Sequence, residues 1–479
     1  MTTHHRSLGT GFNWLAGTTV VAKIVDFSTI LIMLLYLSKQ QVGIASLVVS
    51  IAMVVEAFNG LGTGEALIQA KSVSQLQLDT LFWYIIGASL LVGSLTLLAA
   101  PWIGTLYGIA GMGAYFIAVA AKQPLVGAAL IPMAMMSRDL QYQRIAIVNV
   151  CATFAAAFTR LGLGACGAGT WALVAGYSAS GLYTLIGALM ARPFRPRLRF
   201  QFSAIRPLAH FGFRSSAANV SEQMFKNVDY MLIGWFYGAS QLAIYRVAFD
   251  IAMEPAMAVG TLVNRTTLPV IARVAAVKRH LAETFLWGLE RIVGLLLPLT
   301  GGLIFAAYPL TSLLHDHQGN SYVGAALPLK ILAIAALLRV ALLLLSTVMI
   351  GSGRPGLAAR FSLAALLLLS TGILVAGFAC RARLGIVAVS AVWLGIYPLL
   401  LAWGIRYLNR DWNVSGGDLW RHFKAPLFDV GMMIAVLAIG RFMLGGGNSI
   451  LFLTLDSVVT ASVYVILYRK QKKRSRTAL

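Results

Sequence analysis

The sequence predicts an all-α, polytopic membrane protein on three observations. The composition is 59% hydrophobic and only 11% charged. Apolar segments long enough to cross a bilayer follow one another along the chain. Lysine and arginine are unevenly shared among the connections between those segments. Soluble proteins are about 25% charged, so lipid is the expected solvent for most of this chain. No stretch is long and polar enough to fold apart from the apolar part, and one integral unit is expected.

A helix crossing the hydrocarbon core needs about 20 apolar residues, and about fourteen such runs occur. They lie at 11–37, 42–66, 78–102, 106–136, 145–163, 170–190, 208–237, 242–271, 285–310, 323–350, 357–378, 384–407, 426–444 and 450–468. The opening MTTHHRSLGTGFNW runs into the first of them without a small-residue cleavage site, so no removable signal peptide is expected. With the N-terminus inside, alternate connections carry the charge: Arg6, Lys71, Arg138, Arg144, the cluster from Arg192 to Arg206, Arg273 to Arg279, Arg354, Arg406 to Lys424, and the tail from Arg469. The outer connections hold only Lys39, Arg381, Arg383 and Arg441. Cytoplasmic connections retain positive charge, so both termini are expected in the cytoplasm and the number of spans is expected to be even.

The segment RPFRPRLRFQFSAIR is the most polar interior stretch and separates six runs from eight. It is read as a hinge. The expected organisation is a first bundle at 1–191, the basic linker at 192–206, a second bundle at 207–407, an additional helix pair at 408–468 and a basic tail at 469–479. A short internal echo supports repeated halves, which are common in secondary transporters: KIVD from Lys23 returns as KNVD from Lys226, and QVGIA from Gln41 as QLAIY from Gln241.

The net charge of +22 invites a nucleic-acid reading, but the cations are spread through short connections and form no single domain face, so no nucleic-acid partner is expected. More informative are the ions inside the spans. A charge at mid-bilayer costs about 2.5 to 3.5 kcal/mol on insertion scales, so these side chains must face water or one another. Arg246, Asp250 and Glu254 recur at i, i+4 and i+8, with Arg265 near the same face. Arg214, Glu222, Lys226 and Asp229 draw a stripe on the seventh run, Lys23 and Asp26 one on the first, Glu56 and Asn59 one on the second. Two readings compete. Internal ion pairs, Lys226 with Asp229 or Arg246 with Asp250, would lock helices. An aqueous chamber would collect all four stripes and suit a polyanionic headgroup such as a diphosphate sugar, because arginine grips phosphate oxygens bidentately. On the second reading Lys23, Arg214, Lys226, Arg246 and Arg265 bind substrate, and Asp26, Glu56, Glu222, Asp229, Asp250 and Glu254 are candidates for coupling to a proton or sodium ion.

The passage NVDYMLIGWFYGASQLAIYRVAFDIAMEP from Asn227 to Pro255, with TLPVIAR after it, and in the first half FNGLGTGEALIQ from Phe58 and LDTLFW from Leu78, resemble the polysaccharide transporter branch of the multidrug/oligosaccharidyl-lipid/polysaccharide (MOP) exporter superfamily. The resemblance covers roughly the first 400 residues. It implies two six-helix bundles in pseudo-twofold arrangement around a cationic chamber open alternately to either side. It also implies a flippase that moves an undecaprenyl-diphosphate-linked oligosaccharide outward across the bacterial inner membrane for exopolysaccharide or lipopolysaccharide synthesis, with glycosyltransferases and a polysaccharide polymerase as expected partners. Asp229 and Tyr245 match the branch's polar stripe, whereas Gln241, Ala243 and Arg246 depart from it.

Other motifs carry less. GLGACG at Gly162 has the letters of a dinucleotide loop but no strand before it, and is read as a turn. No nucleotide-binding GxxxxGK[ST] occurs. The triplet His315, Asp316, His317 is too small for a metal site and is read as a solvated outer loop. Three scattered cysteines imply no disulfide framework, and no cofactor, metal or catalytic role is expected. Two rival functions remain. A multidrug or small-molecule antiporter of the same superfamily would prefer an acidic chamber. An integral glycan polymerase would need a sizeable outer loop.

Overall fold

The computed structural model describes residues 2–70, 72–274, 278–352, 354–380, 383–412, 416–444 and 449–477. These form α1 (Thr2–Met33), α2 (Lys39–Glu56), α3 (Thr63–Gln69), α4 (Gln75–Tyr107), α5 (Met112–Arg138), α6 (Tyr142–Ala165), α7 (Thr170–Ala191), α8 (Phe202–Tyr237), α9 (Ala239–Val274), α10 (Lys278–Leu313), α11 (Ala326–Gly351), α12 (Pro355–Cys380), α13 (Ile386–Trp412), α14 (Gly416–Leu444) and α15 (Ser449–Thr477), with two short 3-10 turns. Among the described residues there is no strand, only an isolated bridge between His315 and Ser321. Every helix except α3 has at least 18 residues, and each of these overlaps one apolar run of the sequence. Eleven, α2, α4 to α7 and α10 to α15, contain a segment long and apolar enough to cross a membrane. The chain is a multi-pass membrane protein. The runs at 208–237 and 242–271 are α8 and α9, interrupted by Glu222, Lys226 and Asp229 and by Arg246, Asp250 and Glu254.

The second run does not form one helix. α2 opens on a capping box, in which Ser38 accepts from the backbone of Gln41 and the Gln41 side chain accepts from the backbone of Ser38. It closes at Glu56 because Gly60, Leu61 and Gly62 take left-handed backbone angles, with φ of 72°, 44° and 66°. Glycine adopts this conformation without a Cβ penalty, so FNGLGTG ends α2 and re-aims the chain into α3. α8 packs against this break and against α2, α3 and α4.

The chain divides into two compact units, one of residues Met1–Ala243 with Asp316–Gln318, the other of Ile244–His315 with Gly319–Leu479. In the first, α4 packs on α5, α6 on both α1 and α7, and α5 on α7. Leu67, Leu78, Leu81, Ile85, Ile131 and Ile205 form one of its buried apolar clusters. In the second, α10 packs on α11, α14 and α15, and α13 on α11 and α12. The division falls inside α9, not at the basic linker, so α8 belongs to the first unit.

The linker read as a hinge is held along its length. Trp83 donates its indole N–H to the carbonyl of Arg197 at 2.9 Å, and the backbone N–H of Arg197 donates to Asp79 Oδ1 at 3.2 Å. Gln201 N–H donates to Thr80 Oγ1 at 3.2 Å, and Gln77 Nε2 to the carbonyl of Ala204 at 3.1 Å. Arg192 pairs with Asp139. LDTLFW is therefore the docking strip for the linker's main chain. Two smaller expectations also change. GLGACG is the last turn of α6 and its cap, with Gly167 at φ 74°. Asp316, in the loop after α10, is buried, not solvated, because its carboxylate accepts from the backbone of Lys39 and of Gln318. His315 and His317 are exposed.

Candidate functional site

In the first unit, ions from four helices, α1, α2, α5 and α6, are satisfied across helices. α1 presents Asp26, which receives Arg160 Nη1 of α6 at 2.9 Å. α2 presents Glu56 at its last turn, where Oε2 receives Lys122 Nζ of α5 at 2.8 Å and the Tyr177 hydroxyl of α7 at 2.6 Å. The same ammonium lies 3.5 Å from the centroid of the Tyr177 ring, so the tyrosine holds carboxylate and cation together. Lys122 is 5% exposed and Glu56 28%. A buried ammonium is tolerated only when paired and hydrogen-bonded, and both conditions hold.

Glycines of α7 make room for the two cations. A Cβ at Gly176 would collide with the Arg160 stem, and one at Gly181 would stand 2.9 Å from Lys122 Cγ. One turn below, Asn59 of the α2 break donates to the carbonyl of Gln123 at 2.8 Å and accepts from Ser89 of α4. The Gln123 Oε1 atom is buried without a hydrogen-bond partner. This network ties the break in α2 to α4 and α5.

Beside Asp26, a cavity of about 190 Å³ opens between α1 and α6, lined by Thr18, Thr19, Ala22, Lys23, Asp26, Asn149 and Val150. Its lining combines one cation and one carboxylate with hydroxyl and carboxamide groups. Asp26 is paired with Arg160, and Lys23, Thr18, Thr19 and Asn149 complete the polar part of the lining. Such donors can replace the hydration of a phosphate oxygen.

In the second unit the stripe on α9 pairs along its own helix, Arg246 Nε to Asp250 Oδ2 at 3.2 Å, the side chains 20% and 13% exposed. This is the internal pair weighed against a chamber lining. Tyr245 is fully buried and its hydroxyl accepts from Trp393 Nε1 at 2.8 Å, within a ring cluster that includes Phe249 and Tyr397. The Arg339 guanidinium sits 5.6 Å from the Trp393 ring.

Of the other sequence candidates, Lys226 bonds Glu222 at 2.5 Å on α8, both substantially exposed, and does not pair with Asp229, which is fully buried. The single stripe drawn through these three residues is thus split between an exposed pair and an interior acid. Glu254 is half-buried on α9. The side chains of Arg214 and Arg265 lie outside the described residues. The sequence reading gave no site role to Lys122, Arg160, Tyr177 or Trp393. Charge balance was the available signal. Neither cation has an acid three or four residues away on its own helix, so each had to find one on another.

The family described as "Polysaccharide biosynthesis protein" matches residues 32–323. That range contains the passages from Phe58, Leu78 and Asn227 on which the sequence resemblance rests. The lipopolysaccharide biosynthesis protein WzxC of Escherichia coli K12 is 22% identical over 336 residues, 69% of this chain and 67% of that protein. Among solved structures, the lipid II flippase MurJ in an inward closed conformation matches with a TM-score of 0.76 at 13% identity, over 95% of this chain and 97% of that one. An inward-facing multidrug resistance MATE family transporter of the MOP superfamily matches with a TM-score of 0.60 at 13% identity, over 81% and 95%. Both show the same transporter fold.

Proposed function

Because the chain belongs to the polysaccharide biosynthesis protein family, we propose that it is a flippase, not an enzyme. It carries an undecaprenyl-diphosphate-linked oligosaccharide from the cytoplasmic to the outer leaflet of the bacterial inner membrane by alternating access, for exopolysaccharide or lipopolysaccharide synthesis. The name of WzxC and the fold shared with MurJ support this reading. So does the predicted topology of about fourteen spans with both termini cytoplasmic, read as two halves of six helices and a C-terminal pair.

The observation that carries the proposal is the cavity on α1 and α6. Moving a diphosphate through hydrocarbon as a bare ion is prohibitive, whereas the polyprenyl chain can stay in the bilayer throughout. The protein therefore has to shelter only the headgroup. Lys23 supplies the attractive charge, Thr18, Thr19 and Asn149 supply hydrogen bonds, and the Asp26–Arg160 pair fixes the wall without adding net charge. Lys226, Arg246, Arg214 and Arg265 are proposed as further headgroup contacts. Coupling to protons or sodium would act through acids whose partners are cations, Asp26 and Glu56 first, then Glu222, Asp229, Asp250 and Glu254. Protonating Glu56, for instance, would release Lys122 from its hold.

The test is transport in proteoliposomes containing a fluorescent undecaprenyl-diphosphate oligosaccharide, read as the fraction accessible to an external sugar oxidant. Wild type should equilibrate the label, and Lys23→Glu should slow it by at least about tenfold, one charge contact's worth. Full activity in Lys23→Glu would remove the cavity from the pathway. Exchange of cationic drugs for protons, with no movement of the labelled lipid, would favour the antiporter reading.

A further inference from the structure

We infer that the linker from Arg195 to Phe202 is a binding strip for the headgroups of anionic phospholipids, built into the surface where α7 ends and α4 begins. The inference does not depend on the transported substrate. It starts from a conflict in the side chains. Leu198 is 89% exposed, Phe200 60% and Phe202 48%, and they alternate with Arg195, Arg197 and Arg199, which are exposed as well. Among the described residues no carboxylate pairs with these three arginines. The nearby acids are otherwise engaged, Asp139 by Arg192 and Asp79 by the linker's own main chain.

An apolar and cationic alternation of this kind is unfavourable in water and favourable at a membrane boundary. There the apolar groups enter the acyl region and the guanidinium groups meet phosphate. The position agrees. α7 is a candidate span ending at Ala191 and α4 one starting at Gln75, so the strip that joins Arg192 to Phe202 while bonded to Gln77, Asp79, Thr80 and Trp83 lies at the level where both spans leave the hydrocarbon. Its two ends are anchored in the protein, with Phe194 against Phe82 and Ile205 in the apolar core. The backbone is already ordered, so binding a lipid does not have to order it. Arginine rather than lysine at all three positions suits bidentate contact with a phosphate.

The experiment uses the full-length chain in nanodiscs doped with phosphatidylglycerol that carries a photoreactive group next to its headgroup, and maps the adducts by mass spectrometry. Adducts should concentrate on residues 195–202. They should fall at least about tenfold in R195Q/R197Q/R199Q, given roughly 1 kcal/mol per arginine near an anionic surface. Those side chains are exposed, so the variant should fold, which its unfolding temperature verifies. The tail variant K470Q/K472Q/K473Q should leave labelling of 195–202 unchanged, and L198S/F200S should lose adducts from an acyl-chain probe while keeping those from the headgroup probe. Equal labelling by photoreactive phosphatidylcholine, or undiminished labelling of the triple glutamine variant, would overturn the inference. So would displacement of the probe by a small excess of undecaprenyl diphosphate but not by phosphatidylglycerol, which would make the strip a substrate site.

Discussion

The helices α1, α2, α5 and α6 of the first unit and the helix α9 of the second pair their ions in opposite ways. In the first, Asp26 and Glu56 find their cations on other helices, α6 and α5. In the second, Arg246 finds Asp250 one turn along the same helix. An ion pair within one helix forms as soon as the helix does. A pair between helices sets their rotation and depth, and it strands a charge when the helices part. These four helices have spent their ions on tertiary structure, and any motion that opens α2 from α5 must break or carry with it the Glu56–Lys122 contact.

The comparison can be broken most decisively at Glu56. Replacing it with alanine leaves Lys122 charged and almost fully buried, and we expect a loss of about 3 kcal/mol in unfolding free energy, measured by thermal unfolding in detergent. Glu56→Gln with Lys122→Met removes both charges and should recover most of that loss. If the double variant is no more stable than the single, the pair is not what holds α2 to α5. In the second unit, Trp393→Phe removes the donor to a buried Tyr245 hydroxyl and should cost about 1 kcal/mol in the same assay. Arg246→Gln should cost less, about 0.5 kcal/mol. Smallest is Lys226→Gln on α8. Its pair with Glu222 is largely exposed and should contribute roughly 0.3 kcal/mol, disappearing in high salt.

Much of the fold was legible because lipid imposes a length on every crossing: the apolar runs and the long helices coincide from α1 to α15. The break in α2 was visible as FNGLGTG, yet the count of apolar residues ran through it, since hydropathy does not register a backbone angle. The intramembrane ions were legible as residues but not in their partners. Spacing along one helix found Arg246–Asp250 among its options, and could not find Arg160 for Asp26 because 134 residues separate them. The strapping of the linker was invisible for a different reason. It is made largely through main-chain atoms of Arg197, Gln201 and Ala204, which any residue would supply.

The break at Gly60 to Gly62 also fixes how far α2 can reach. Its 18 residues rise only about 27 Å at 1.5 Å each, slightly short of a hydrocarbon layer about 30 Å thick. α4, with 33 residues, can absorb extra thickness by tilting less, and α2 has no such slack. The helix carrying Glu56 is thus more sensitive than α4 to the thickness of the surrounding bilayer. Reconstitution in lipids of graded acyl length should therefore act first on the Glu56–Lys122–Tyr177 contact, with longer chains pulling it out of register before α4 responds.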